Sequence, residues 1–562
     1  MYHFFKLLKQ FIILIFFLSL ISESLVANTY YVDLSGNNSN TGGFSAPWES
    51  IEYGASRLLA GDSLLIKEGI FTELFSIENI QGTESHPIVI SGYNEERPIV
   101  DGNDLVPSLW DPLIYLKNCK YIIFKNIEVR NSRGTGIRID ENSHHISFSN
   151  IWLHYTGYDG IESENSNYLT IEDSKFWNTN VVNDTSSPWY EFFMWGGAIM
   201  ASGDTSSLVE AAHDIIIRRN EIFQNFGEGI NIFGHISGAV IENNTFWDNW
   251  APSIFTPNSE NILISSNLIY QTNDSRFLRD GNPGTGIGFL NEPPPTRPGE
   301  MKNITVINNL VMGCNRNFAF WNDEEGGPLQ NVLIANNTFI DAHSNTEENE
   351  HSIYIADAEN ENVRFINNII LQEDNSASFG YSDNTGVSFS HNLWYPGTPP
   401  TNMQSSNDVY LDPLVSRSGS IEAGELLANY FDILENSPAI DSGTFLPEVT
   451  NDFLDSLRSE NPTIGAFEYI NTSKISELSS PSETLKVFPN PITSYVIIKN
   501  KNIVSSKQLS LHNMLAQKIV CKFIKISEGY FLLNTEQLSK GNYIISFDTK
   551  NNHLSKKIIL EH

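Results

Sequence analysis

Seven segments of this chain repeat one short pattern: an apolar residue, two variable residues and an Asn. They run Ile217-Arg-Arg-Asn220, Ile241-Glu-Asn-Asn244, Ile264-Ser-Ser-Asn267, Val306-Ile-Asn-Asn309, Ile334-Ala-Asn-Asn337, Phe365-Ile-Asn-Asn368 and Phe389-Ser-His-Asn392, with Asn spacings of 24, 23, 42, 28, 31 and 24. Upstream, Phe124, Phe148 and Ile171 begin the same pattern, with Ile127, Ile151 and Ser174 in the Asn slot. A unit this short, with two or three strands, cannot bury its own apolar face. Stacking such units on one axis does so, at roughly 4.8 Å per coil. The recurring Asn then predicts an amide ladder at a tight turn.

A second strand of each unit follows a Gly-rich or small turn, as in Gly134-Thr-Gly-Ile-Arg-Ile139, Asp159-Gly-Ile-Glu162, Gly227-Glu-Gly-Ile-Asn-Ile232 and Gly284-Thr-Gly-Ile-Gly-Phe289. Period-2 alternation turns Ile137, Ile161, Ile230 and Ile287 inward, and Arg138, Glu162, Asn231 and Gly288 outward. The handedness of parallel connections favours a right-handed coil. The expected fold is all-β: a right-handed parallel β-helix. A leucine-rich repeat lacks its Leu-x-x-Leu-x-Leu consensus here, and a propeller needs longer blades of about 40 residues.

Of 562 residues, 40% are apolar and 12% aromatic, enough for a packed core. Formal net charge is −33, with 34 Lys and Arg against 67 Asp and Glu, which argues against nucleic-acid binding. The charge is uneven: residues 471–562 hold 12 Lys, no Arg and 6 acidic residues, a balance of +6. Two differently built pieces meet near residue 470. Three cysteines (Cys119, Cys314, Cys521) make no disulfide framework. Residues 1–27 read as a secretory signal, with Lys6 and Lys9, the apolar run Phe11–Ile21 and a small-residue cleavage site ending at Ala27.

Solenoid ends need covers. At the front, Trp48–Leu59 carries Ile51, Ala55, Leu58 and Leu59 at helical spacing. Around it, Tyr30-Tyr-Val-Asp-Leu-Ser-Gly36, Ala46-Pro-Trp48, Ala60-Gly-Asp-Ser-Leu-Leu-Ile66 and Pro87-Ile-Val-Ile90 resemble the entry region of pectate-lyase-like β-helix proteins. At the rear, Ser437-Pro-Ala-Ile-Asp-Ser-Gly443 and Ile464-Gly-Ala-Phe-Glu-Tyr469 resemble the terminal segment of many exported β-helix proteins. The resemblance covers residues 28–470. That superfamily holds polysaccharide lyases, including chondroitinase B-type alginate lyases, and glycoside hydrolases, so it implies a fold and not a reaction. Beyond a Ser-rich linker, 471–484, residues 485–562 carry Leu485-Lys-Val-Phe-Pro-Asn-Pro491, Leu538-Ser-Lys-Gly-Asn-Tyr-Ile544 and Lys556-Lys557-Ile-Ile-Leu. These resemble the C-terminal sorting domain of the type IX secretion system. They imply that machinery as a partner and a secreted or outer-surface location.

Where coil spacing exceeds 23, the excess leaves as loops. One insertion is Val181–Trp195, containing Trp189 and Tyr190; a second carries Arg276, Arg279, Pro293-Pro-Pro295 and Arg297. Both are expected to wall one part of a groove suited to an extended polymer. The first reads equally as a hydrophobic flap or as a sugar platform. Near them lie His154, Tyr155, Tyr158, Asp159, Glu162 and Glu164, then His213, Arg218, Glu228, Asn231 and His235. For β-elimination at a uronate, Tyr158, His213 and His235 are candidate bases or acids. Arg138, Asn231 and Arg276 are candidate carboxylate neutralisers, with Arg279, Trp189 and Tyr190 as further substrate contacts. With a sugar leaving from C4 such an enzyme is a lyase, and with a terminal hydroxyl leaving it is a dehydratase. Hydrolysis instead needs two carboxyls, for which Glu162 and Glu228 lie two coils apart. Asp159, Glu162 and Glu164 are weak candidates for holding calcium through oxygen ligands. A non-catalytic polysaccharide-binding solenoid is the third class. The expected substrate is an acidic polysaccharide or oligosaccharide such as ulvan, alginate or pectin.

Overall fold

The computed structural model describes residues 27–103, 105–140, 142–191, 193–203, 212–292, 300–322, 326–346, 350–383 and 385–469. Towards the C-terminus it describes 486–488, 495–499, 509–513, 518–519, 521, 523–527, 530–535, 538, 541–548 and 553–560. The expected signal segment (1–26), the linker at 471–484, residues 293–297 and the acidic runs at 323–325 and 347–349 lie outside the described residues. Two compact units, Met1–Tyr469 and Ile470–His562, divide the chain.

The first unit winds through three parallel sheets of 13, 11 and 12 strands, each coil adding one strand to each sheet. In the 11-stranded sheet, Ile137, Ile161, Ile199, Ile230, Ile254 and Ile287 stand in Cα register. All are buried inside the coil, each contributing about 2 kcal/mol of hydrophobic free energy. The outward column beside them runs Tyr115, Arg138, Glu162, Met200, Asn231, Phe255, Gly288, Ala319, Tyr354, Tyr381.

The repeated Asn builds the predicted ladder. The Nδ2 of Asn220 donates to Asn244 Oδ1 (3.0 Å), Asn244 to Asn267 (3.1 Å), Asn267 to Asn309 (3.0 Å), Asn309 to Asn337 (2.9 Å), Asn337 to Asn368 (3.0 Å) and Asn368 to Asn392 (3.2 Å). Each Oδ1 also accepts the backbone N–H of the preceding rung, as Asn244 does from Asn220 (3.0 Å). Earlier coils substitute a shorter acceptor: Ser174 Oγ accepts the N–H of Ile151 (2.9 Å). The residue before each rung is left-handed, from Arg219 (φ 55°) to His391 (φ 53°), which turns the corner sharply enough to bury the amide. A second, shorter ladder, which the repeat pattern does not announce, joins Asn225 Nδ2 to Asn249 Oδ1 (2.9 Å).

The front cover is a helix of one turn and a half, Ile51–Ala55, shorter than the Trp48–Leu59 stretch suggested. Ser50 Oγ caps it by accepting the N–H of Tyr53 (3.1 Å). At the rear, the chain after the last strands, Val387–Ser390 and Leu393–Tyr395, folds back along the outer faces. Val415, Leu426, Phe431 and Ile433 pack on Tyr270, Leu310, Met312 and Leu371, while Leu446 and Val449 cover Leu333 and Ala335. The second unit has two four-stranded antiparallel sheets around Ile498, Leu511, Phe531, Ile545 and Ile558.

Candidate active site

The strands Ile161–Glu164, Gly197–Ser202 and Glu228–Phe233 are successive in the 11-stranded sheet, and the turns entering them gather the polar groups of one corner. Gly197 pairs with Glu228, and its N–H donates to Asp159 Oδ1 (2.7 Å). Asp159 and Glu228 therefore flank one glycine, with side chains 0% and 1% exposed. Asn180 is wedged beside them: its Oδ1 lies where a Cβ of Gly196 would stand, and its Nδ2 where a Cβ of Gly227 would stand. No other residue fits at 196 or 227. Asp159 Oδ2, Glu228 Oε2, Asn231 Oδ1 and both amide atoms of Asn180 are buried without a hydrogen-bond partner. A buried polar atom left unpaired costs about 1–3 kcal/mol, so a cluster of them marks a site held for something other than stability.

Burial and neighbouring carboxylates set the proton affinities. Burial raises Glu228 to about 7, opposed in part by the Arg279 guanidinium. Desolvation, then Glu162 and Glu228, push Asp159 well above the ordinary carboxylate range. Tyr158 is raised by burial and by the same three carboxyls, so it stays a neutral phenol. Its ring meets Trp110 edge-on at 5.5 Å. Arg138 is engaged: its Nη2 lies 2.7 Å from Glu162 Oε2, its Nε 3.6 Å from Glu164 Oε1, and its Nη1 donates to the Trp110 carbonyl (3.0 Å). Glu162 Oε2 accepts from Thr135 as well (3.1 Å). This geometry does not suit Asp159, Glu162 and Glu164 as a calcium site, because a guanidinium already sits between the two glutamates. Among the described residues no three His, Cys, Asp or Glu side chains gather as a metal site.

The two insertions do wall one region. Together they line a cleft of about 700 Å³, with Tyr155, Asp184, Tyr190, Phe193, Arg276 and Asp280 on its walls. Val181, Phe226 and Phe277 pin the insertions together, with Tyr155 and Trp189 against them. Trp189 is thus spent on packing, and Tyr190 is the exposed ring. The Arg279 guanidinium rests on Trp195 (4.3 Å), Phe193 (5.1 Å) and Trp250 (5.3 Å), an aromatic–cation cage beside the acid corner. Arg276 pairs with Asp274 of its own loop (2.7 Å).

The two histidines lie elsewhere. His235 follows the strand Glu228–Phe233, so it stands roughly 20 Å from Glu228 at about 3.3 Å per residue. The bridge between Ala212 and Ile236 puts His213 on that same far corner. There the His213 ring meets Asp214 (2.6 Å) and the edge of Tyr168 (5.1 Å). Register also separates Glu162 from Glu228: the residue two coils from Glu162 is Asn231, and Glu228 aligns instead with Asp159. The sequence reading missed Asn180, Trp110 and Trp250. Only Asn180 left a trace there, as the residue just before the insertion.

Residues 30–249 match the model of the Pel9A-like right-handed beta helix region, and residues 486–561 match the secretion system C-terminal sorting domain. A pectate lyase, PEL9 of Emericella nidulans, is 25% identical over 160 residues, 26% of this chain and 39% of that protein. The uncharacterized protein YwoF of Bacillus subtilis is 22% identical over 125 residues, 21% of this chain and 26% of that one. The chain thus spans less than half the length of these curated relatives. The crystal structure of pectate lyase Pel9A aligns with a TM-score of 0.46 at 17% identity, covering 79% of this chain and 97% of that one. No helix among the described residues is long and apolar enough to cross a membrane. The sorting domain marks type IX secretion, to the cell surface or the exterior. The chain is thus a parallel β-helix whose residues 30–249 are similar to the Pel9A-like right-handed beta helix region, joined to residues 486–561, which are similar to the secretion system C-terminal sorting domain.

Proposed function

We propose that this protein is an exported polysaccharide lyase that cleaves an acidic, uronate-containing glycan by β-elimination. The observation that carries this reading is the corner where Tyr158, Glu228 and Asn231 of the Pel9A-like region meet Arg279 from the second insertion, beside an aromatic-walled cleft. Elimination needs a cation or amide at the uronate carboxylate, a base for the C5 proton and an acid at the C4 oxygen. Arg279 and Asn231 suit the first task. Arg138 does not, being tied to Glu162. Glu228, at about 7, holds a carboxylate basic enough to take a proton at neutral pH. Tyr158, neutral across that range, is the donor to the leaving oxygen. Glu228 is closed off in this structure, so substrate entry must first displace side chains. Arg279, which rests on ring faces and lies 3.8 Å from Asp280 Oδ2, is one such side chain at the corner.

A second reading, glycoside hydrolysis, draws on the alignment of Asp159 with Glu228 across Gly197, roughly 9.6 Å apart by coil stacking. Incubation with polygalacturonate, alginate, ulvan and chondroitin sulfate separates the two. Elimination raises the ultraviolet absorbance of the new C4=C5 bond conjugated to the carboxylate. A dehydratase raises it with loss of water and no new reducing ends. New reducing ends without that absorbance would replace the lyase by the hydrolase.

A further inference from the structure

The second insertion leaves the strand Leu268–Tyr270 and carries Arg279 outside the period of the coil, so no neighbouring rung sets where that residue stands. Its tip is a two-residue hairpin. Arg279 N–H donates to the Asn282 carbonyl (2.8 Å) and Asn282 N–H to that of Arg279 (2.9 Å), around Asp280 (φ 50°) and Gly281 (φ 85°). Both central residues are left-handed, as a type I′ turn requires, and Asp-Gly suits it. The faces of Phe193, Trp195 and Trp250 attract the Arg279 guanidinium, but ring faces hold a cation less directionally than hydrogen bonds do. The turn is tied down instead by residues two coils further on, after the strand Thr338–Ile340 of the same sheet. Asn282 Nδ2 donates to Thr346 Oγ1 (3.2 Å), and Asn282 Oδ1 accepts the N–H of Asn345 (2.7 Å). Asn345 Nδ2 donates to the Gly281 carbonyl (2.9 Å) and to Asn273 Oδ1 (2.7 Å) at the start of the insertion. Both hydrogens of that amide are then in use, which leaves Asn345 Oδ1 as the acceptor facing His343 Nε2 (2.9 Å). Asn273 Nδ2 lies beside both, 3.1 Å from His343 Nε2 and 3.3 Å from Asn345 Oδ1. Behind them, His343 Nδ1 meets Asp374 Oδ2 (2.5 Å) one coil further on, and Asp374 Oδ1 accepts the N–H of Ser376 (2.8 Å). The Gln372 amide exchanges two bonds with the Ala342 backbone, both 2.9 Å, which fixes this base to the stack.

We infer that Asn282, Asn345 and His343 form a clasp that fixes the turn carrying Arg279, and that they are positioning residues for the arginine that meets the uronate carboxylate. Their role rests on the lyase reading of the acid corner. The bonds from Asn345 to Asn282, Gly281 and Asn273 join residues 63 to 72 apart in the chain, across a whole intervening coil. Asn273 and Asn345 are exposed, where such side chains contribute little to the stability of the coil. What they constrain is the turn. A binding group misplaced by about 1 Å can cost about 100-fold in rate, so a loop outside the repeat needs such a brace to serve chemistry. The clasp holds backbone and leaves the Arg279 side chain unbonded to it, so the guanidinium can leave its rings for a substrate carboxylate from a fixed pivot.

The test uses the full chain, its Asn282→Ala, Asn345→Ala and His343→Ala variants, Arg279→Ala, and the double variants that combine each clasp change with Arg279→Ala. Hydrogen exchange of the amides at 279–282 is expected to speed about tenfold in each clasp variant, with melting of the coil unchanged. On the polymer that the parent cleaves, kcat/KM is expected to fall about tenfold in each. In the Arg279→Ala background the same changes should cost nothing further, because residues that act through Arg279 then have nothing left to place. Equal fractional losses in both backgrounds would overturn the positioning role, as would unchanged exchange at the turn or unchanged kcat/KM. Faster exchange at the turn, in a protein whose parent gives no unsaturated product from any polymer, would leave the clasp standing and remove the lyase reading instead.

Discussion

Two corners of the same coil are built from the same kinds of residue and end in opposite states. At the ladder corner, Asn220, Asn244, Asn267 and their successors are fully buried, and each amide is paired both to the next rung and to a backbone carbonyl one coil back. At the acid corner, Asn180 is as deeply buried, yet neither of its amide atoms has a partner, and Asp159 and Glu228 each leave an oxygen unpaired. The first corner uses polar burial to fix the stack. The second accepts its cost, and with it come raised proton affinities. A solenoid can tolerate the second only because the first recurs in most of its coils.

The sharpest way to break the comparison is Glu228→Gln. Turnover is expected to fall about 10³-fold, within the range for loss of a general base, while thermal melting at alkaline pH holds or rises. A variant with full turnover would move the chemistry away from this corner. The mirror experiment is Asn309→Ala at the other corner. It strips the acceptor from both the backbone N–H and the Nδ2 of Asn267, each at 3.0 Å, and should cost about 3 kcal/mol in denaturant unfolding. Its turnover, measured where the variant is still folded, should match the parent.

The pH dependence comes next in size. With Glu228 at about 7 and acting as base, turnover should climb about tenfold between pH 6 and its alkaline plateau. A fall across that interval would assign Glu228 as an acid and favour hydrolysis. Stability runs the other way. Since burial raises this carboxyl in the folded state, its contribution is intact below the ordinary value of 4.5 and is lost as pH rises through 7. That loss, on the order of 3 kcal/mol, should vanish in Glu228→Gln. The smallest effect is expected from His213→Ala on the far corner: a stability change within about 0.5 kcal/mol and unchanged turnover. A collapse of activity there would return the histidines to the site.

Much of the architecture was legible in the chain because its physics is local and periodic. The Asn interval names the coil, and alternation around Ile137, Ile161 and Ile230 assigns inside and outside without reference to any other coil. The excess spacings located both insertions correctly as walls of one cleft. The site was legible only as a neighbourhood. His213 and His235 are close in number to Arg218, Glu228 and Asn231, but a strand of six residues carries them to the opposite edge of the sheet. Glu162 and Glu228 look paired by coil count, yet the register offsets them by three residues.

By itself the sequence determined the coil, its core and its amide ladder, because each rung needs only an identical residue one period away. The tertiary structure alone decided which polar groups meet. The insertions obey no period, so nothing in their sequence fixes that Trp195 and Trp250 sheath Arg279, or that Val181 locks against Phe277. The slot between Gly196 and Gly227 that holds Asn180, and the burial that lifts Glu228, arise from the backbones of adjacent coils closing on one another. Proton affinity depends on the solvent those backbones exclude, and that exclusion exists only once the coils are stacked.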